Sequence, residues 1–295
     1  MQSEALSLVS RFMTQPAHRE QCAAALAKHL SRALDPTLTS WDLDEPHTRD
    51  LRDQGVTFMD VGITPAKAAE LREYLKVPAN SGPRYAIPTP HLLAAPYLLE
   101  VATSEKVLAA AAGLLGTPPL LANFSSWWSL GWEGTSDQVF HRDSPSLKFC
   151  KLFVYLTDVD HLNGAHQFVA RSQHPDHIKS RIKHLDAQSY GKVFTAMFMG
   201  GQLQADEQLI LDHLSPDIMT HVGPAGTAFL ENTYGLHKAI PPTAGKSRLV
   251  FHALYSISLD PVAHEGMAHL KSGRRWLSRV PDTPLARFAV SPWLG

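Results

Sequence analysis

Val139-Phe140-His141-Arg142-Asp143-Ser144-Pro145, followed by the apolar run from Phe149 to Leu156, is the stretch on which the reading of the fold turns. In an extended strand successive side chains alternate faces, so His141 and Asp143 would point to one side, an imidazole and a carboxylate two residues apart. That spacing makes a pair of metal ligands. A second histidine further along the chain would complete a two-histidine, one-carboxylate face, which leaves the remaining positions of a six-coordinate ferrous ion open. His237 is the candidate for that role.

Taken alone, His-x-Asp is a weak motif. The chain has 16 histidines and carries the pattern at His141-Arg142-Asp143, His174-Pro175-Asp176 and His184-Leu185-Asp186. The second has a proline between its members, and the third falls in a segment of helical periodicity, where residues two apart do not share a face. The first sits in a strand-like context. Downstream, Gly235 to Ile240 and Lys246 to Tyr255 flank the turn signal Pro241-Pro242-Thr243-Ala244-Gly245. This arrangement predicts two paired neighbouring strands that bring His237 and Arg248 to one cavity. An arginine inside an apolar strand needs a partner, because burying an unpaired guanidinium is costly, and its fork of donors matches a carboxylate in a two-pronged grip.

The rest of the chain gives that pair a setting. At 295 residues, 44% hydrophobic and 19% charged, it has the composition of a globular enzyme able to bury a sizeable core. A formal net charge of -1 gives no electrostatic reason to expect nucleic acid or an anionic membrane as partner, and no run is long enough to cross a bilayer. Cys22 and Cys150 form no CxxC pattern, which argues against a zinc site or a disulfide scaffold. With no secretory signal at Met1-Gln2-Ser3-Glu4, the reading is a cytoplasmic protein.

Residues 1–50 read as a helical extension, with helices over Glu4–Met13 and His18–Ala33. From residue 51 a strand within Gln54–Val61 feeds a helix that starts at the N-cap Thr64 and Pro65. Val77–Pro96 reads as a loop, and Glu105–Leu115 as a helix stopped by Gly116 and the prolines beyond it. Short strands then follow at Leu120–Leu130, Gln138–Arg142, Lys148–Thr157, Gln167–Ala170, Ile218–Val222, Thr227–Leu230, His237–Ile240 and Ser247–Ile257. Such spacing favours a sandwich or barrel, here interrupted by an insertion over 171–216 with helical or irregular segments. Residues 260–295 form a mixed tail whose basic run Lys271–Arg275 reads as a solvated patch.

The set His141, Asp143, His237 and Arg248, with the arginine eleven residues after the distal histidine, resembles the phytanoyl-CoA dioxygenase-like family of Fe(II)- and 2-oxoglutarate-dependent oxygenases. Gln54-Gly55-Val56-Thr57-Phe58 leading into Thr64 through Leu75 looks like the family's N-terminal strand and helix. Asp158 to Val169, with Asn163-Gly164 inside it, resembles the turn after the first ligand strand. Where the family continues with Pro-Gly-Ser-His this chain has Arg171-Ser172-Gln173-His174, a departure in a loop that spares the ligands. The resemblance covers 51–259 and implies a mainly β fold with flanking helices, a double-stranded β-helix of the cupin-like jelly-roll type. It also implies iron on His141, Asp143 and His237, the far carboxylate of 2-oxoglutarate on Arg248, and use of O2 to hydroxylate an unactivated C–H bond of a small molecule with release of succinate and CO2. The intact Asp143 argues against halogenation, in which related enzymes replace the carboxylate with a small residue, and for hydroxylation or a desaturation or ring-forming variant.

Lesser assignments complete the reading. Asn123 is a candidate cosubstrate contact, and Trp127, Trp128 and Trp132 are candidate pocket walls, against ordinary packing. His161, His166, His174, His221 and His252 read as packing or hydrogen-bonding residues, and Ser144 either orients Asp143 or caps a turn. Two rival functions stay open: a cupin-like metal enzyme that does not use 2-oxoglutarate, and a non-catalytic jelly-roll binding or sensor module. Substrate identity and oligomeric state are not legible.

Overall fold

Alternation along three neighbouring strands sets the architecture. A computed structural model describes residues 16–34, 38, 41–78, 81–131, 138–143, 146–198, 206–258 and 274–293. Its strands are β1 (Val56–Phe58), β2 (Arg84–Ala86), β3 (Leu120–Ser129), β4 (Phe149–Tyr155), β5 (His166–Val169), β6 (Ile218–His221), β7 (Ala228–Glu231), β8 (His237–Ala239) and β9 (Arg248–Ser256). They form a six-stranded antiparallel sheet, β1-β7-β4-β9-β3-β2, and a three-stranded antiparallel sheet, β6-β5-β8. The two sheets make a double-stranded β-helix.

The large sheet is apolar on its outer face and mixed on its inner one, as a period of two requires. Cys150, Leu152 and Val154 of β4 and Leu249, Phe251, Ala253 and Tyr255 of β9 join the main core beneath the helices. Their alternates, Phe153, Tyr155 and Val250, belong to a second cluster between the sheets with Phe168 and Phe229. Nearly every residue of β4 and all of β9 are buried, because both faces are covered. Full burial of each such Phe or Leu is worth about 1.5–3 kcal/mol relative to exposure.

The covering helices are α1 (Pro16–Ala33), α2 (Pro46–Asp53), α3 (Pro65–Tyr74), α4 (Thr89–Ala94), α5 (Leu98–Ala102) and α6 (Glu105–Leu115); α7 (Pro175–Ile182), α8 (Ala187–Phe198) and α9 (Glu207–Leu214) follow β5, and α10 (Pro284–Val290) lies near the end. Their ends follow local rules. The Thr64 side chain accepts a hydrogen bond from the Lys67 amide with Pro65 in the first turn, and Gly116 closes α6 in the left-handed conformation at φ 74°. Gly113 lets α6 meet α2 closely, since a Cβ there would lie 2.4 Å from Thr48 Cγ2.

Four expectations change. Val77–Pro96 is not a plain loop: β2 pairs with Trp127–Ser129 at the sheet edge, and α4 packs Leu92 and Leu93 into the core. Gln138–Arg142 is not a full strand, and its ladder contact is one bridge from His141 to His237. His237 and Arg248 are not on paired neighbours, because β8 pairs with β5 in the small sheet while β9 lies between β4 and β3 in the large one. The chain beyond Arg274, read as part of a mixed tail, packs into the core. Trp276, Ala286, Ala289, Val290 and Trp293 are buried, and Trp293 Nε1 donates to Leu121 O at 2.7 Å. Glu4–Met13, Trp132 and Ser144 lie outside the described residues.

Candidate metal centre

The bridge that replaces the expected strand places the first ligands. His141 and His237 exchange backbone hydrogen bonds, N to O at 2.9 and 3.0 Å, and the Asp143 amide donates to Thr233 O at 2.9 Å. His141 therefore extends the small sheet past β8, and its ring lies 4.2 Å, centroid to centroid, from that of His237. Each imidazole donates Nδ1–H to the carbonyl two residues before it, His141 to Val139 O and His237 to Gly235 O, both at 2.9 Å. That bond fixes the tautomer and leaves each Nε2 lone pair for a metal. His237 Nε2 lies 3.6 Å from Asp143 Oδ2, and the three ligand atoms lie within 4.8 Å of one another.

The carboxylate is held charged. Burial alone would raise the Asp143 carboxyl, but the Lys151 ammonium keeps it well below the usual carboxylate range. Lys151 Nζ reaches Asp143 Oδ2 at 2.5 Å from the neighbouring strand β4. Burial keeps the His237 imidazole neutral. Two imidazole nitrogens and one carboxylate are the donor set a divalent first-row metal takes, so the residues fit such an ion.

Arg142, between the two ligands, points away from them into the protein. Only 2% exposed, it donates from Nε to Met197 O at 2.8 Å and from Nη1 to Ser172 O at 2.9 Å and Tyr234 O at 2.5 Å. Burial lowers its guanidinium to about 10, still charged at neutral pH. The ligand segment is thus tied to the end of α8, the turn after β5 and the loop that leads to His237.

A cavity of about 770 Å³, counting its open mouth, holds the three ligands together with Arg248, Lys151, Arg84 and Trp127. Arg248 enters from β9 on the facing sheet, buried, with Nη1 donating to Gly164 O. Gly164 has φ 100°, and the Asn163-Gly164 turn aims that carbonyl at the guanidinium. Trp127 lines the wall with the Arg84 guanidinium 4.4 Å above its ring and His252 edge-on at 4.0 Å. Trp128 faces the other side of β3, where its Nε1 donates to Leu75 O at 2.7 Å and its ring joins the helix-side core. Asn123 is solvent-exposed and pairs with Leu254, past the register shift that separates it from Leu121, and it is not among the cavity residues.

Behind the ligands lies a group that sequence reasoning passed over. Glu231 of β7 is fully buried, its carboxylate accepting from His166 Nε2 at 3.1 Å and lying 3.4 Å from His221 Nε2. Burial pushes its carboxyl up to about 7. His166 also lines the cavity, as do Lys151 and Arg84. Lys151 and Glu231 carry the signal that marks Arg248, a charged residue in an apolar strand.

A double-stranded β-helix whose mouth gathers two histidines, a carboxylate and a buried arginine is the class of molecule described here. No family model and no curated protein matches the sequence. Among solved structures, EctD from S. alaskensis, determined with 2-oxoglutarate and 5-hydroxyectoine, is similar with a TM-score of 0.50 and 15% identity, covering 76% of this chain and 81% of that one. The alpha-ketoglutarate-dependent epimerase SnoN from nogalamycin biosynthesis gives 0.48 and 19%, covering 72% and 82%. HygX from Streptomyces hygroscopicus, solved with nickel and 2-oxoglutarate, gives 0.46 and 14%, covering 73% and 87%. At these identities the likeness speaks to the fold, and the EctD comparison agrees with the sheet order in placing the chain among jelly rolls.

Proposed function

We propose that this chain is a non-haem Fe(II)- and 2-oxoglutarate-dependent oxygenase that hydroxylates a C–H bond of a small-molecule substrate. The observation that carries the reading is one cavity in which His141, Asp143 and His237 stand on one sheet's edge and the buried Arg248 enters from the other. Iron bound there supplies the oxidising chemistry that, with O2 and 2-oxoglutarate, converts R–H to R–OH with succinate and CO2 as co-products. The protein's part is geometric and electrostatic. His141 and His237 present Nε2 because their Nδ1–H groups are anchored, and Lys151 holds the Asp143 carboxylate in its charged form. Arg248 offers its fork to the far carboxylate of the cosubstrate. Trp127 and Arg84 form a wall against which the substrate packs.

The EctD structure, which holds 2-oxoglutarate, supports the reading at the level of fold. The free thiols Cys22 and Cys150 suit a reducing compartment, and we place the activity in the cytoplasm. Among the described residues no helix is long and apolar enough to cross a membrane. The test is spectroscopic. Anaerobic Fe(II) plus 2-oxoglutarate should give a visible charge-transfer absorption that is lost in His141→Ala. An undiminished band in that variant would overturn the ligand assignment.

A further inference from the structure

We propose that His166, His221 and Glu231 form a second, closed metal site that takes one divalent cation of the zinc or cobalt type and pins the two sheets together. The fold converges these residues from three strands. His166 and His221 are direct partners in the β5–β6 ladder, and Glu231 reaches them from β7 of the facing sheet. Their exposures are 5%, 1% and 0%.

The spacing is that of ligands around an ion. Donor atoms on a tetrahedral zinc ion, at about 2.0–2.1 Å from the metal, stand about 3.3–3.4 Å apart. Both carboxylate oxygens of Glu231 lie 3.1 Å from His166 Nε2, and Oε2 lies 3.4 Å from His221 Nε2. In the first set His237 Nε2 lies 3.6 Å from Asp143 Oδ2, a comparable separation. Its three donor atoms also fall within 4.8 Å of one another.

Two further observations separate the group from an ordinary hydrogen-bonded cluster. Among the described residues His221 Nε2 is buried and makes no hydrogen bond of good geometry, although it faces the carboxylate at 3.4 Å. Glu231 sits directly across the ladder from Lys151, yet the Lys151 ammonium is spent on Asp143, and the ion-pair partners of Glu231 among the described residues are the two histidines. The group is enclosed by rings: Phe229 lies 4.5 Å from the His221 ring, Phe153 4.8 Å from that of His166, and Phe58 stands edge-on to His221 at 5.0 Å. Such a shell disfavours the ionised carboxylate, and a divalent cation would hold it ionised. Binding displaces the protons that the Nε2 atoms carry in the metal-free chain, and these pass to Nδ1 or to solvent. The rings of His166 and His237 stand 5.6 Å apart, so the two sites are neighbours with separate donor sets.

The experiment is metal stoichiometry on the full chain. Protein stripped with a chelator is loaded with excess Co(II) or Zn(II), desalted, and its metal counted per chain, with circular dichroism confirming the fold. Wild type should hold two equivalents, and His221→Asn and Glu231→Gln one each. His141→Ala combined with Asp143→Ala should also hold one, because the second site is intact there. A wild-type chain that stops at one equivalent, or a His221→Asn chain that keeps two, would overturn the proposal. If both second-site variants unfold, the His141→Ala, Asp143→Ala chain decides, since a folded chain that holds no metal refutes the site. Failure of the oxygenase reading would show instead as absence of the 2-oxoglutarate band with both metals bound.

Discussion

Replacing Arg142 by methionine removes a clamp without touching a ligand, and its cost can be worked from the contacts. The guanidinium makes three bonds to backbone carbonyls, at Met197, Ser172 and Tyr234. Hydrogen bonds to a charged group are worth about 1.5–3 kcal/mol each, so their loss removes roughly 5–9 kcal/mol. Against that stands the relief of no longer burying a charge, several kcal/mol for a group so enclosed, which leaves a net destabilisation of about 3–5 kcal/mol. With a denaturant slope of about 3 kcal/mol per molar urea for a chain of this size, the unfolding midpoint should fall by about 1–1.7 M. The same loosening reaches the metal, because Tyr234 lies in the loop between β7 and His237 while Arg142 itself separates His141 from Asp143. Co(II) affinity should weaken about 10–100-fold, the usual effect of losing a group that orients ligands. Arg142→Lys, a single point donor, should recover only part of either quantity. A methionine variant that unfolds within about 0.3 M urea of wild type and binds Co(II) equally well would refute the reasoning.

Arg248→Ala should weaken 2-oxoglutarate binding about 10–100-fold, the worth of one charge-assisted pair, while Fe(II) affinity measured without cosubstrate stays near wild type; titration of the charge-transfer band separates the two. Trp293→Ala should cost about 3–5 kcal/mol by urea unfolding, since it empties a buried site beside Trp276 and Phe124 and orphans Leu121 O. Asp217 reports on the attachment of α7. Burial alone would raise its carboxyl, but Arg181 and His177 hold it below the ordinary value. A depressed acid contributes stability above its unfolded value, about 3.9, and loses it as pH falls through the folded value. Asp217→Asn should therefore be less stable than wild type at pH 7, with the gap closing below about pH 4 in urea midpoints taken across that range.

What was legible in the sequence follows from the periodicities involved. A period of two tells which residues of one strand share a face, so the alternation through Trp127 and through Arg248, Val250 and His252 could be read, and all four line the cavity. It does not tell which sheet a strand joins. The turn at Pro241–Gly245 is equally compatible with a hairpin and with a crossover between sheets, and tertiary packing selects the crossover. The loop expected over Val77–Pro96 has a similar cause. Proline and glycine mark where a chain turns, but the three residues Arg84–Ala86 become a strand because the edge of β3 at Trp127–Ser129 offers them unpaired backbone groups. Asn123 fails to reach the cavity for a reason no alternation reveals, since it lies four residues along β3 from Trp127, about 13 Å at strand rise, beyond where the cavity ends.

The buried charges were more legible than the topology. Arg248 is conspicuous because a guanidinium in Leu-Val-Phe surroundings demands a partner, and the same demand attaches to Lys151 inside Phe149–Leu156 and to Glu231 at the end of Ala228-Phe229-Leu230. Three ionisable residues on adjacent strands β7, β4 and β9 cannot all be accidents of packing, for each isolated buried charge would cost several kcal/mol. Their partners divide the interior. Lys151 takes Asp143 and so belongs to the metal centre, Arg248 meets Gly164 and the cavity, and Glu231 is left to two histidines that sit side by side on the opposite sheet. Lysine and glutamate face each other across the β4–β7 ladder, the arrangement that ordinarily yields a cross-strand ion pair. That the lysine turns to Asp143 instead holds the carboxylate of the first site ionised and leaves the second carboxylate to its two histidines.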